Sequence, residues 1–151
     1  MPIYNIEDIL KEWKDDVVIN EMFLDVASLQ SATLHAKYLE MLTKTKLELK
    51  YFESQLDIAY KDKWLYYTGK MDTDRIEALG WDPDPLNGLK ILKSDLNYYY
   101  KADPELQELS SKIDLAKTIK ETLEEIIGHI RFRSTNIKNI IDWRKFTDGS
   151  Q

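Results

Sequence analysis

The chain has 151 residues, the size of one ordinary domain of about 100 to 200 residues, which leaves no room for a second large catalytic domain. Hydrophobic residues make up 43% and charged residues 32%, with five Gly and four Pro, so there is enough apolar material for a core and no compositional sign of disorder. The absence of cysteine removes disulfides, thiolate nucleophiles and cysteine-ligated zinc or iron–sulfur sites and fits a reducing cytosol, while a formal charge of −6 confines any polyanion site to a local patch.

The start of the chain, Met1-Pro2-Ile3-Tyr4-Asn5-Ile6-Glu7-Asp8, has neither a basic region nor an apolar run, and no stretch of about 20 residues lacks charge. The expectation is a soluble, non-secreted protein with no membrane partner. Apolar residues recur at helical spacing nearly everywhere and β-branched runs are scarce, so the fold class reads as all-α. Asn5 to Trp13 forms the first short amphipathic helix, with Ile6, Ile9, Leu10 and Trp13 on one face and Asn5 as its cap.

From Leu24 to Tyr67 there is no Gly or Pro. A seam runs through His35, Tyr38, Leu42, Thr45, Leu49, Phe52, Leu56 and Ala59 in steps of three and four. Unbroken, this helix would extend roughly 66 Å, more than a compact monomer could cover. Gly69 is a stop signal, and Asp82-Pro83-Asp84-Pro85 between Gly80 and Gly88 makes 69–88 a loop. A short helix is expected over Leu89 to Tyr100, followed by Asp103 as cap and Pro104 as first residue of a second long helix. Its seam is Leu106, Leu109, Ile113, Ala116, Leu123, Ile127, Ile130, Ile137 and Ile141, interrupted at Lys120 and Ser134 and weakened at Gly128. The whole is one helical domain over 1–151: N-terminal helices in 5–68, the loop, and a C-terminal oligomerisation region at 104–147.

Catalytic motifs are missing. Gly69-Lys70 continues with Met71 and lacks the upstream glycine of a phosphate-binding loop. His35 and His129 lie on separate helices without metal or triad spacing. Asp72, Asp74, Asp82 and Asp84 do not form a calcium loop, because the twelfth position counted from Asp72 is Pro83. No catalytic residue, metal ligand or cofactor is expected, and a small enzyme is the remotest reading.

Two segments carry functional signal. Tyr60 to Lys70 interleaves cations with aromatic rings, the pairing that single-stranded nucleic acid requires: Lys61, Lys63 and Lys70 for phosphate, and Tyr60, Tyr66 or Tyr67 for stacked bases. The competing reading places Trp64 and a tyrosine in the helix seam and leaves the lysines solvated. From His129 to Phe146, Arg131, Arg133, Lys138, Arg144 and Lys145 face a single acid, Asp142, forming either a second phosphate strip or the ordinary cationic end of a helix. Leu123, Ile127, Ile130, Ile137 and Ile141 are expected to associate copies of the chain. Tyr98-Tyr99-Tyr100, between Lys93 and Lys101, either packs or stacks on bases.

The pair Lys61-x-Lys63 ahead of Tyr66-Tyr67-Thr68-Gly69, with Ile137-Lys138-x-Ile140-x-Asp142-x-Arg144-x-Phe146 near the end, resembles the UvsY family of recombination mediator proteins of T4-like phages. The resemblance extends over most of the chain. It implies a non-enzymatic, ring-like homo-oligomer, a heptamer, assembled through the C-terminal helix in the cytoplasm of the infected bacterium. Such a protein would bind single-stranded DNA and load a RecA-like recombinase onto DNA coated by a single-strand-binding protein. The family's DNA-binding Lys and Arg, flanking a small residue, fall on Lys61 and Lys63. Lysine in place of arginine gives up bidentate phosphate geometry, and Asp62 adds a negative charge between them. The alternative is a coiled-coil scaffold without DNA binding.

Overall fold

The structure is a computed structural model and describes residues 2–149; the outermost positions of the expected single domain, 1 and 150–151, lie outside the described residues. Its helices are α1 (Ile6–Asp16), α2 (Leu24–Tyr67), α3 (Thr73–Leu79), α4 (Leu96–Ala102) and α5 (Pro104–Thr147). There is no strand among the described residues, so the all-α expectation holds. No described helix is long and apolar enough to cross a membrane.

The terminal signals operate as chemistry predicts. Asn5 Oδ1 accepts from the backbone N–H of Glu7 at 2.8 Å and of Asp8 at 3.2 Å, satisfying two donors that the first turn of α1 leaves open. The helix α2 occupies the whole expected span in 44 residues without a break. It ends where Gly69 adopts φ +70°, letting Lys70 N–H reach back to Leu65 O at 2.8 Å. Asp103 Oδ1 caps α5 by accepting from Glu105 N–H at 3.0 Å and Leu106 N–H at 3.1 Å, and Pro104 takes the first position. Gly128 lies inside α5, which continues past it.

Two local differences from the expected pattern have simple causes. Within 69–88, seven residues wind into α3, between Asp72 and a Gly80 at φ +69° whose N–H returns to Glu77 O. The expected helix from Leu89 begins only at Leu96, because residues 85–88 and 93–95 form turns on either side of an irregular stretch at 89–92.

By compactness the chain divides into two units: the segments up to Glu48 and from Leu115 onward, and Leu49–Asp114. The core of the first unit joins Ile9 of α1, Tyr38 and Leu42 of α2, and Ile119, Leu123, Ile126, Ile127 and Ile130 of α5. Burying each such large side chain contributes about 1.5 to 3 kcal/mol. Around this core, Lys37 Nζ lies 2.6 Å from both Glu12 and Asp16, and Tyr38 donates its hydroxyl to Asp16 at 2.8 Å. Burial alone would raise the Asp16 carboxyl, but Lys37 and Tyr38 hold it below its ordinary value. His129 stands against the Trp13 ring at 5.5 Å.

This core answers where the C-terminal seam goes. Leu123, Ile127 and Ile130, expected at a contact between copies, are covered by α1 and α2 of the same chain, and Ile137 is buried as well. The buried stripe on α5 keeps the expected Leu106, Ile113, Ala116, Leu123, Ile127, Ile130 and Ile137, and at the two expected interruptions, Lys120 and Ser134, the preceding residues Ile119 and Arg133 point inward instead. The apolar side chains that α5 leaves in water are Leu115, Phe132, Ile141, Trp143 and Phe146.

In the second unit Leu49, Phe52, Tyr66, Met71, Leu106 and Ile113 are buried, together with the charged pair Lys63 and Asp103.

Candidate nucleic-acid interface

The seam of α2 does not stop at Ala59. Continued by four and then three residues it reaches Lys63 and Tyr66, and both are buried, at 4% and 7% exposure. An ammonium in such a place is costly by several kcal/mol unless it is paired. Lys63 Nζ lies 3.0 Å from Asp103 Oδ2, 3.4 Å from Glu105 Oε2 and 3.7 Å from the centre of the Trp81 ring. Every neighbour is fixed in turn. Tyr67 donates its hydroxyl to Asp103 Oδ2 at 2.7 Å, Trp81 donates Nε1–H to Glu105 at 2.9 Å, and Tyr66 donates its hydroxyl to Asp82 O at 2.7 Å.

The titration of this cluster follows from its contacts. Burial pushes the Asp103 carboxyl up, but the Tyr67 hydroxyl, the Lys63 ammonium and the Leu106 N–H outweigh it and hold the group below its ordinary value. Burial and the Asp103 charge drive Tyr67 upward, so it remains a neutral donor. Lys63 therefore ties α2 to the start of α5, and its ammonium is not presented to solvent phosphate; Tyr66 is likewise turned inward. Tyr67 is half-buried.

The opposite face of the same turn is open. Tyr60 and Trp64, four residues apart, are each 39% exposed, and Lys61 is exposed between them. Past the end of the helix Lys70 folds back to place Nζ 4.4 Å from the centre of the Trp64 ring, a contact worth about 0.5 to 1 kcal/mol at an exposed position. The negative charge that the sequence sets between Lys61 and Lys63 is neutralised, because Asp62 pairs with Arg75 of α3 at 3.0 Å. Cations and flat rings thus share one solvent face.

Of the expected phosphate and stacking residues, then, Lys61 and Lys70 come together with Trp64, whereas Lys63 and Tyr66 belong to the interior. Sequence reasoning missed Trp64 as an exposed ring and Arg75 as the partner of Asp62; continuing the seam past Ala59 would have found the first. On α5, Arg131 and Lys138 are exposed and seven residues apart, hence on one face. Arg133 is buried, with Nη1 3.4 Å from both Asp16 O and Val17 O, where it serves the open carbonyls at the end of α1. Near the acidic loop, Asp82 and Asp84 accept from the backbone N–H of Asp84 and Gly88. Among the described residues no three His, Asp or Glu side chains gather as a metal would require.

Comparison with known proteins gives a consistent picture. A family described as "Recombination, repair and ssDNA binding protein UvsY" matches residues 12–150. The Recombination protein uvsY of Enterobacteria phage T4 is 24% identical over 144 residues, covering 95% of this chain and 98% of that protein. Crystal structures of the bacteriophage T4 recombination mediator protein UvsY superpose with a TM-score of 0.82 at 24% identity, covering 96% of this chain and 98% of that one, in one lattice. A second lattice gives 0.80 at 22% identity, over 95% and 99%.

Proposed function

From its membership of the UvsY family, to which the chain belongs across nearly its whole length, we propose that this protein is a single-stranded-DNA-binding recombination mediator. Like its family it is not an enzyme. In the cytoplasm of an infected bacterium it loads a RecA-like recombinase onto single-stranded DNA coated by a single-strand-binding protein, and it acts as a ring of seven copies. The observation that carries this reading is the family match over residues 12–150.

The physical support is local. Lys61, Lys70 and Trp64 offer two cations and a ring on one face, enough for a phosphate and a stacked base but modest as a single site in a chain of charge −6. Repetition around a ring supplies the missing affinity, since linked weak sites raise overall binding by roughly 10² to 10⁴ without new contacts. Arg131 and Lys138 add a second cationic strip. The exposed Ile141, with Trp143 and Phe146 stacked at 5.9 Å, supplies apolar surface for association of copies.

Fluorescence anisotropy of a labelled single-stranded oligonucleotide tests the DNA step, with duplex of equal length as control. The expected result is salt-sensitive binding that prefers the single strand. Lys61→Ala with Lys70→Ala lowers it and reduces the salt slope by about 0.7 per lost phosphate contact. Absence of binding at low salt refutes the reading. The loading step is tested by recombinase filament assembly on precoated DNA, where no acceleration on adding the protein counts against it.

A further inference from the structure

Resting on the reading of the chain as a single-stranded-DNA-binding protein, we infer that Tyr98 of α4 is a base-stacking residue, with Lys93 and Lys101 holding the phosphates of the same strand. Tyr98 is 72% exposed, the most exposed tyrosine among the described residues, and its ring has no aromatic partner among them. Its two neighbours are anchored. Tyr99 lies 5.7 Å from Tyr67, and Tyr100 lies 5.3 Å from Tyr60 and 6.4 Å from Tyr67. Two of the three consecutive rings therefore fasten α4 to α2 and hold the third in water on a fixed backbone. With the backbone already fixed, such a ring has only its own rotamers left to order on binding, a condition that favours a stacking platform.

The surroundings suit a nucleotide on both counts. Tyr98, Tyr99, Tyr67 and Pro85 wall an open groove of about 250 Å³ that has no charged side chain in its lining, a place for a flat base. On another side of α4, Lys101 borders a groove of about 410 Å³ with Tyr60, Tyr100, Ser110 and Ser111, where hydroxyls and an ammonium meet a phosphate. Within residues 85–102 the only charged side chains are Lys90, Lys93, Lys101 and Asp95, so an acidic protein is locally basic here. All three lysines are exposed and form no ion pair among the described residues. Tyr100, by its contact with Tyr60, fixes this surface to the part of α2 that carries Lys61.

Base stacking and phosphate contact separate cleanly in experiment. The full-length protein is titrated against an oligo-dT and against an abasic strand of equal length, as wild type, Tyr98→Ala, Tyr98→Phe and Lys93→Ala with Lys101→Ala. Tyr98→Ala is expected to weaken binding to oligo-dT at least fivefold, the low end of what one lost stack does, and to leave the abasic strand unchanged. Tyr98→Phe keeps wild-type affinity, and the lysine pair weakens both strands alike. Photo-cross-linking of the wild-type protein to an iodouracil-substituted strand should join DNA to Tyr98. If the wild type binds oligo-dT but Tyr98→Ala binds it equally well, or loses both strands in the same proportion, or cross-links map only elsewhere, the inference is overturned while the DNA-binding reading stands. If the wild type binds neither strand, both fall.

Discussion

Replacing Lys63 with methionine should destabilise the fold, because Lys63 is half of a buried ion pair. The ammonium is 3.0 Å from an Asp103 carboxylate whose side chain is 2% exposed, so removing it leaves a buried charge without its counter-ion, a change that costs about 3 to 5 kcal/mol. Two features place the loss near the lower bound. Asp103 keeps the Tyr67 hydroxyl and two backbone N–H donors, and methionine retains the packing of the lysine stem. Asp103→Asn should be milder, at about 2 kcal/mol, because asparagine preserves the cap of α5 and Glu105 still lies 3.4 Å from the ammonium. The double variant should lose about 1 to 3 kcal/mol less than the two single losses combined. Urea unfolding followed by circular dichroism at one fixed protomer concentration reads this directly: a loss of about 3 kcal/mol moves the midpoint by about 1 to 3 M. A Lys63→Met midpoint within about 0.3 M of wild type, with weakened DNA binding, would refute the assignment and return Lys63 to the phosphate site.

The remaining predictions separate stability from assembly and from pH. Leu123→Ala and Ile137→Asp, both in buried positions, should lower thermal stability, the first by about 2 to 5 kcal/mol; Ile141→Asp, on an exposed residue, should leave the melting profile of the fold in place and reduce the mass seen by light scattering. Unchanged mass would move the interface away from Ile141. Because Asp16 and Asp103 titrate below their ordinary 3.8 when folded, their contribution is complete well above that value and is lost as pH falls through and beneath it. The raised Tyr38 and Tyr67 act in the other direction: their contribution is complete below 10.0 and is lost as pH rises beyond it. Acid and alkaline unfolding midpoints of Asp103→Asn and Tyr38→Phe measure the two limbs, and curves parallel to wild type would remove these groups from the account.

Much of the fold was legible because its signals are local. Asn5, Gly69 and Asp103 each act on backbone groups within six residues, and α2 fills the whole span between its breakers. What was not legible depends on partners distant in sequence. A three-and-four rhythm states that a face of a helix is covered, not by what, and so Leu123, Ile127 and Ile130 pointed equally to another copy and to α1 and α2 of the same chain. Composition likewise gave three lysines in Tyr60–Lys70 and could not tell which had a counter-ion, since Asp103, which pairs Lys63, and Arg75, which takes up Asp62, both lie beyond the segment.

The helix itself decides how the Lys61-x-Lys63 pair divides. Residues two apart on an α-helix point in directions about 200° apart, so α2 sets Lys61 and Lys63 on different faces. The buried seam that reaches Tyr66 takes in Lys63, while Lys61 lies off it and is exposed. The choice of lysine there is then explained by packing rather than by phosphate geometry. Its pocket offers carboxylate oxygens at 3.0 Å and 3.4 Å and the face of an indole at 3.7 Å, which a compact point charge satisfies. On this argument lysine at position 63 fits the contact that holds α2 against the start of α5.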